Sequence, residues 1–313
     1  MKIAHISDLH WLDLSGASPF EFLNKRLTGG FNLLAGRARK HTKDAVRNAL
    51  ETIAAQHCDH LIVTGDLTNL ALSGEFLGVK KLLNAYFDDE RMTIVPGNHD
   101  FYTRESAHAR RFETLIYGKA GARIGDLDIQ NEGTSWPFVR LVGDVAVIGL
   151  NSAQPRPWFV AAGRLGTAQI EALTRAFAHP EIQSRFKIVA LHHHLFQVVR
   201  TPGECWRHLD DRKAFLDVCA QGKCDLIVHG HNHDFTQKRY GDVVISEAGS
   251  CSVSRFERDP RAGKFNIYEI VDHKLMAVQT WRYASGAYAL WKTTSPGAFE
   301  CVGPDVHTEN SGD

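Results

Sequence analysis

The sequence has no run of 18 apolar residues, so no segment reads as a membrane-spanning helix. It has no Cys-x-x-Cys pair. Its six cysteines (58, 205, 219, 224, 251 and 301) are scattered along 313 residues, as expected of reduced, mostly buried thiols rather than a disulfide framework. Charge of either sign is not in excess: Lys+Arg and Asp+Glu are both 36. That zero balance excludes bulk electrostatic capture of nucleic acid, which needs a basic surface. There is no G-x-S-x-G and no P-loop, so serine-hydrolase and NTPase chemistry have no support. The opening "MKIAHISDLHWLDL" is broken by polar and charged residues before any signal-peptide apolar region forms, and the expectation is a cytoplasmic protein. No internal repeat or linker stands out.

Histidine, in contrast, is abundant and clustered. Of 17, three form the block His192-His193-His194, and His229, His231 and His233 alternate directly after the apolar run Leu226-Ile227-Val228. A buried imidazole loses hydration, and a metal ion compensates for that loss.

Short β-rich apolar runs recur at Lys2–Ile6, His60–Thr64, Met92–Val95, Val145–Leu150, Lys187–Leu191, Leu226–Val228 and Val243–Ser246. Helical stretches at about 42–56, 73–87, 104–117, 167–178 and 209–221 separate several of them. This alternation predicts an α/β fold, and residues 265–271 and 275–293 predict antiparallel strands near the end. One domain is expected over 1–295, with a loosely held tail over 296–313.

Each predicted strand ends in groups that bind metals. "SDLH" gives Asp8 and His10, "TGDLTN" gives Asp66 and Asn69, and "PGNHD" gives Asn98, His99 and Asp100. "ALHHHLF" and "VHGHNH" supply the histidines. Strand ends of an open α/β sheet converge on one crevice. Strand alternation would put Asp8 with His10, and His231 with His233, on common faces. Gly65, Gly97 and Gly230 each precede a candidate ligand, which suits a sharp turn. Each motif alone reads equally well as a turn; their joint occurrence at successive strand ends does not. His229 is read as a core or hydrogen-bonded histidine.

The ordered set D-x-H, G-D-x-x-N, G-N-H-D, histidine block and G-H-x-H resembles the calcineurin-like metallophosphoesterase superfamily over about residues 3–250. "GLNSAQ" at 149–154 and "GRLGTAQIEAL" at 163–173 are similar to its bacterial (class III) cyclic-nucleotide phosphodiesterase branch. The resemblance implies a four-layer αββα sandwich with mixed β-sheets and two divalent metal ions. It implies that Asp8, His10, Asp66 and His233 hold the first metal. Asp66, Asn98, His193 and His231 would hold the second, with Asp66 bridging. The family's histidine block usually ends in proline, where this chain has Leu195. Counting back from it selects His193, and His192 stays open as the alternative. His99 would be the catalytic histidine at the leaving group. His194 is assigned to the substrate side. Asn69 either contacts substrate or caps the following helix, and Asp100 orients an imidazole from outside the ligand set.

Mixed oxygen and nitrogen donors suit Mn, Fe or Zn. The expected reaction is attack of a metal-bound hydroxide on a small-molecule phosphodiester, such as a cyclic nucleotide or a glycerophosphodiester. Residues 13–41 interrupt the α/β alternation. Over residues 20–43, six Lys and Arg face Glu21 alone, interleaved with Phe and Leu. The preferred reading is a helical cap with solvated cations. The second is peripheral contact with an anionic membrane. Some bacterial family members that cleave the pyrophosphate of a lipid-linked UDP-sugar carry a similar insertion. A non-catalytic scaffold is the least favoured reading, because every ligand position is filled.

Overall fold

The computed structural model describes residues 1–18, 21, 26, 41–118, 125–127, 129, 131, 135–157, 160–196, 207–254 and 262–302. Most of the insertion at 13–41 and the end of the tail, 303–313, therefore lie outside the described residues.

Among the described residues, thirteen strands form two mixed sheets. The first contains β1 (Lys2–Ile6), β2 (His60–Thr64), β3 (Met92–Val95), β10 (Lys264–Val271), β11 (Lys274–Ala284) and β12 (Ala287–Thr294), in the order β12-β11-β10-β1-β2-β3. The second contains β4 (Phe138–Val142), β5 (Val145–Gly149), β6 (Phe186–Ala190), β7 (Leu226–His229), β8 (Gln237–Tyr240), β9 (Val243–Glu247) and β13 (Glu300–Val302), in the order β13-β8-β9-β7-β6-β5-β4. β1, β2 and β3 run parallel, as do β5, β6, β7 and β9. β10 to β12 continue the first sheet antiparallel, with Ile3 opposite Tyr268.

The helices are α1 (Lys43–Ala55), α2 (Ser73–Asn84), α3 (Arg104–His108), α4 (Arg111–Tyr117), α5 (Thr167–Ala178), α6 (Pro180–Gln183) and α7 (Arg212–Gln221). α1 starts where the Thr42 side chain accepts from the Ala45 amide, and it buries Ala45, Val46, Ala49, Leu50 and Ile53. These positions recur at helical spacing, so one stripe faces the core.

Strand alternation sorts the second sheet's residues between two cores. Val145, Val147, Ile188, Ala190, Leu226 and Val228 join the core shared with the first sheet. Ala146, Ile148, Val189 and Ile227 join the core beneath α5 and α7. The layers are thus helix, sheet, sheet and helix, as the sequence implied.

Some expectations change in detail. The predicted helix 104–117 is two helices, because Arg110 has φ 45° and breaks the ladder between them. The stretch 275–293 is a hairpin that turns at Ser285 and Gly286, both with positive φ. β4, β8 and β13 were not anticipated. β8, "QKRY", is half-buried throughout and has no apolar alternation to betray it. The described cysteines are free thiols, all buried except Cys301. Among the described residues no helix is long and apolar enough to cross a membrane.

Candidate metal centre

The C-terminal ends of β1, β2 and β3 from one sheet, and of β6 and β7 from the other, open onto one crevice. The strands stop short of the ligand residues: β1 ends at Ile6 and β7 at His229. Asp8, His10, Asp66, His231 and His233 all sit at positive φ, between 47° and 84°. Residues with a Cβ avoid this region at a cost of about 1–2 kcal/mol each, and their concentration at one place marks a functional constraint. Simple strand alternation therefore does not pair these side chains. Asp8 and His10 do meet, but His231 and His233 diverge into two different groups.

The first group is Asp8, His10, Asp66 and His233, whose candidate ligand atoms lie within 4.8 Å of one another. His10 Nε2 is 2.9 Å from His233 Nε2, and His233 Nε2 is 3.1 Å from Asp8 Oδ1. The other Asp8 oxygen accepts from the His231 amide at 3.1 Å. Burial would raise the Asp8 carboxyl, but His233, the Ser7 hydroxyl and His192 outweigh it and hold the group well below the usual carboxylate range. The hydroxyls of Ser250 and Ser252 both donate to the Asp8 carbonyl at 2.8 Å, which fixes the backbone.

The second group is Asp66, His192 and His231, again within 4.8 Å. His192 Nδ1 faces the Thr64 carbonyl at 2.7 Å, and a carbonyl only accepts, so the proton sits on Nδ1. His192 Nε2 then faces Asn98 Oδ1 (3.2 Å), His231 Nδ1 (3.1 Å) and Asp66 Oδ1 (3.4 Å). Asp66 divides its oxygens: Oδ1 faces this group, and Oδ2 is 3.8 Å from His10 Nε2 in the first. Burial holds His231 well below the usual histidine range, so it is neutral and able to donate a lone pair. Its Nε2 is buried without a hydrogen-bond partner among the described residues. Imidazole nitrogens and carboxylate oxygens turned toward common points are a donor set that fits divalent cations.

Gly97 is required here for space. A Cβ on it would stand inside the Asp66 carboxylate and against the Asp66 amide. The His99 amide donates to Asp66 Oδ1 at 2.8 Å, which turns the carboxylate toward the two groups.

The sequence-assigned residues fall into place unevenly. Asp8, His10, Asp66, Asn98, His231 and His233 come together. His193 does not join them, and the assignment is corrected to His192. The His193 ring packs beside that of His231 at 4.8 Å, but its Nδ1 is engaged elsewhere, 2.8 Å from the Ser152 hydroxyl, and Gly163 leaves room for the ring. Burial lowers its pKa far below the ordinary value. Ser152 and Gly163 belong to the two stretches singled out at 149–154 and 163–173, so those stretches build the seat of His193.

His99 stands beside the first group, its ring 5.1 Å from that of His10 and stacked on Tyr102 at 5.4 Å. Its Nδ1 donates to the Asn69 carbonyl at 2.7 Å, which turns Nε2 outward. Asn69 neither caps a helix nor lines an open surface. It is buried, and its Nδ2 donates to the His10 carbonyl at 2.6 Å. His194, assigned to the substrate side, is also buried, stacked on His231 at 5.4 Å with its pKa lowered by burial. Asp100 orients backbone rather than an imidazole. Its carboxylate accepts from the amides of Leu67, Thr68 and Gly97 at 3.2, 3.0 and 2.8 Å, stitching the β2 and β3 loops together. Burial, and then Asp66, push its pKa up to about 7. His229 is buried, with Nδ1 3.3 Å from the Gly230 carbonyl, outside both groups.

Two residues escaped the sequence reading. Glu75, in the first turn of α2, is buried and accepts from the amides of Asn69, Leu70 and Leu72 at 3.3, 3.0 and 3.0 Å. It shapes the loop that carries Asn69. Arg26, inside the basic insertion, is 1% exposed, and its Nε donates to the Leu70 carbonyl at 2.8 Å. That loop is therefore held from both sides. At least this cation of the stretch is buried rather than solvated.

Solved structures share the fold at low identity. A dimetal phosphatase from Danio rerio aligns over 94% of this chain and 98% of its own, with a TM-score of 0.56 and 12% identity. The purple acid phosphatase PPD1 from yellow lupin (Lupinus luteus) aligns over 97% of this chain at a TM-score of 0.60 and 13% identity; this chain spans 54% of that one. GAP50, described as the anchor in the inner membrane complex of Plasmodium, aligns over 94% of this chain and 88% of its own at a TM-score of 0.51 and 12% identity. No curated protein sequence matches significantly. The family model for calcineurin-like phosphoesterases matches residues 1–235.

Proposed function

The chain belongs to the calcineurin-like phosphoesterase family, and on that footing we propose that it is a dinuclear-metal phosphodiesterase. Asp8, His10, Asp66 and His233 hold one divalent ion. Asp66, Asn98, His192 and His231 hold the other. The observation that carries this reading is the division of Asp66, with Oδ1 directed to His192 and Oδ2 to His10. A scaffold on the same fold has no need of a bridging carboxylate between two sets of imidazoles, so fold likeness alone does not decide the function.

When bound, the ions supply Lewis acidity toward a phosphoryl group and lower the pKa of water. The chain does the rest. Asp8 and Asp66 offset only two of the four charges that two divalent ions bring, so the crevice attracts an anionic ester. His99, its Nδ1–H tied to the Asn69 carbonyl, presents Nε2, which in the imidazolium form would give a proton to the departing alkoxide. Such a role contributes about 10²–10⁴-fold. Mn, Fe and Zn all suit these donors.

The proposed substrate class is a small phosphodiester, either a cyclic nucleotide or a glycerophosphodiester, with monoesters turned over more slowly. Support comes from the stretches at 149–154 and 163–173, which resemble the cyclic-nucleotide branch and which seat His193 beside the second group. The zero net charge argues against a polyanionic nucleic-acid substrate.

The test strips the protein with chelator, restores Mn²⁺, and compares bis(p-nitrophenyl) phosphate with p-nitrophenyl phosphate. Metal-dependent turnover that favours the diester supports the reading. Absence of turnover with Mn²⁺, Zn²⁺ and Fe²⁺ alike overturns it.

A further inference from the structure

The first group has a third imidazole at its edge that no motif contains. His41 is the last residue of the insertion, two residues before α1. Its ring is 4.6 Å from that of His10 and 5.4 Å from that of His233, nearly edge-on to each. Candidate ligand atoms of His10, His41 and His233 lie within 4.8 Å of one another.

The position is built, not incidental. His41 forms an antiparallel bridge to Val253, and the next amide, Thr42, donates to the Ser252 carbonyl at 2.9 Å. The side chain is anchored as well: His41 Nδ1 is 2.7 Å from Ser252 Oγ. The Ser252 hydroxyl spends its hydrogen on the Asp8 carbonyl at 2.8 Å. It therefore accepts from His41, which places a proton on Nδ1 and makes Nε2 the nitrogen able to face a metal. Nε2 is shut off from solvent. His192 follows the same logic, with Nδ1–H tied to a carbonyl and Nε2 turned to the ligand cluster. Anchoring the far nitrogen of a ligating histidine fixes its tautomer and direction. One serine thus holds the backbone of Asp8 and the ring of His41 together.

We propose that His41 is an additional ligand of the metal held by Asp8, His10, Asp66 and His233. This rests on the two-metal reading above. It gives the insertion a chemical role, because the segment's last residue closes the first metal position and so ties its C-terminal end to metal occupancy.

The experiment titrates chelated wild-type protein, His41→Ala and His41→Gln with Co²⁺, reading stoichiometry and affinity by calorimetry and coordination by the visible absorption of bound cobalt. The glutamine variant keeps bulk and a hydrogen bond to Ser252, so it controls for misfolding. Wild type is expected to bind two ions. Both variants are expected to bind one ion as wild type does, and the other at least about 10-fold more weakly, the lower end of what a lost metal-site partner costs. The cobalt bands should change in intensity, and free imidazole should restore them in His41→Gly. Affinities and bands in His41→Gln that match wild type overturn the proposal, even if turnover falls. Wild type that takes up no cobalt removes the two-metal reading and this inference with it.

Discussion

The side-chain amide of Asn69 holds the backbone carbonyl of His10 at 2.6 Å across 59 residues of sequence. The same residue's own carbonyl receives His99 Nδ1. One amide side chain and one peptide group therefore set the direction of a candidate ligand and of the candidate proton donor.

Asn69→Ala leaves the buried His10 carbonyl without its donor, at a cost of about 1–3 kcal/mol. Metal affinity should fall about 10–100-fold, measured by cobalt titration. Asn69→Asp should be worse than alanine, because a carboxylate oxygen would then face the carbonyl. An aspartate variant that binds metal better than the alanine variant would refute the role.

The two adjacent histidines should behave differently. His192→Ala is expected to lose one bound metal and most activity. His193→Ala should keep both metals and lose stability instead, by about 2 kcal/mol, as its ring fills space under Gly163. Metal analysis and urea unfolding, run side by side, separate the two.

For His99→Ala, the loss should depend on the leaving group. An alkyl diester, which departs as a basic alkoxide, should slow by about 10²–10⁴-fold. A p-nitrophenyl ester, which needs little help from a proton, should slow far less. Equal losses on both would assign His99 to positioning alone.

Glu75 gives stability a pH dependence. Burial outweighs three backbone amides and pushes its pKa up to about 7, from an ordinary 4.5. Between those values the folded chain keeps a proton that the unfolded chain releases, so stability falls as pH rises through the window. The full effect is on the order of 3 kcal/mol. Glu75→Gln cannot titrate. Its stability deficit relative to wild type, in chelated protein, should be larger at pH 5 than at pH 8. A deficit independent of pH would show that Glu75 does not titrate in that window.

Much of this was legible in the sequence because strand ends announce themselves. Apolar runs closed by Asp, Asn, His and Gly located the crevice and six of the residues that come together in it. His193 was chosen over His192 by counting back from Leu195. That count carries no information about side-chain direction, since β6 ends at Ala190 and the block is already loop. His41 lies outside every motif, and the serine that aims it is 211 residues away. Asn69 looked like a substrate or cap residue because its real partner, a distant carbonyl, has no sequence signature. In the basic insertion, composition counted the cations but could not show that Arg26 is buried.

The topology of the first sheet also bears on the order in which the molecule can be made. β1 pairs with β2 on one side and with β10 on the other. The serines that hold the Asp8 carbonyl lie just before β10 in the chain. On a ribosome, synthesis runs from the N-terminus, so Asp8 emerges 242 residues before Ser250 and 244 before Ser252. His233 and His231 come late as well. A nascent chain therefore holds only part of each candidate ligand group until His231 and His233 emerge.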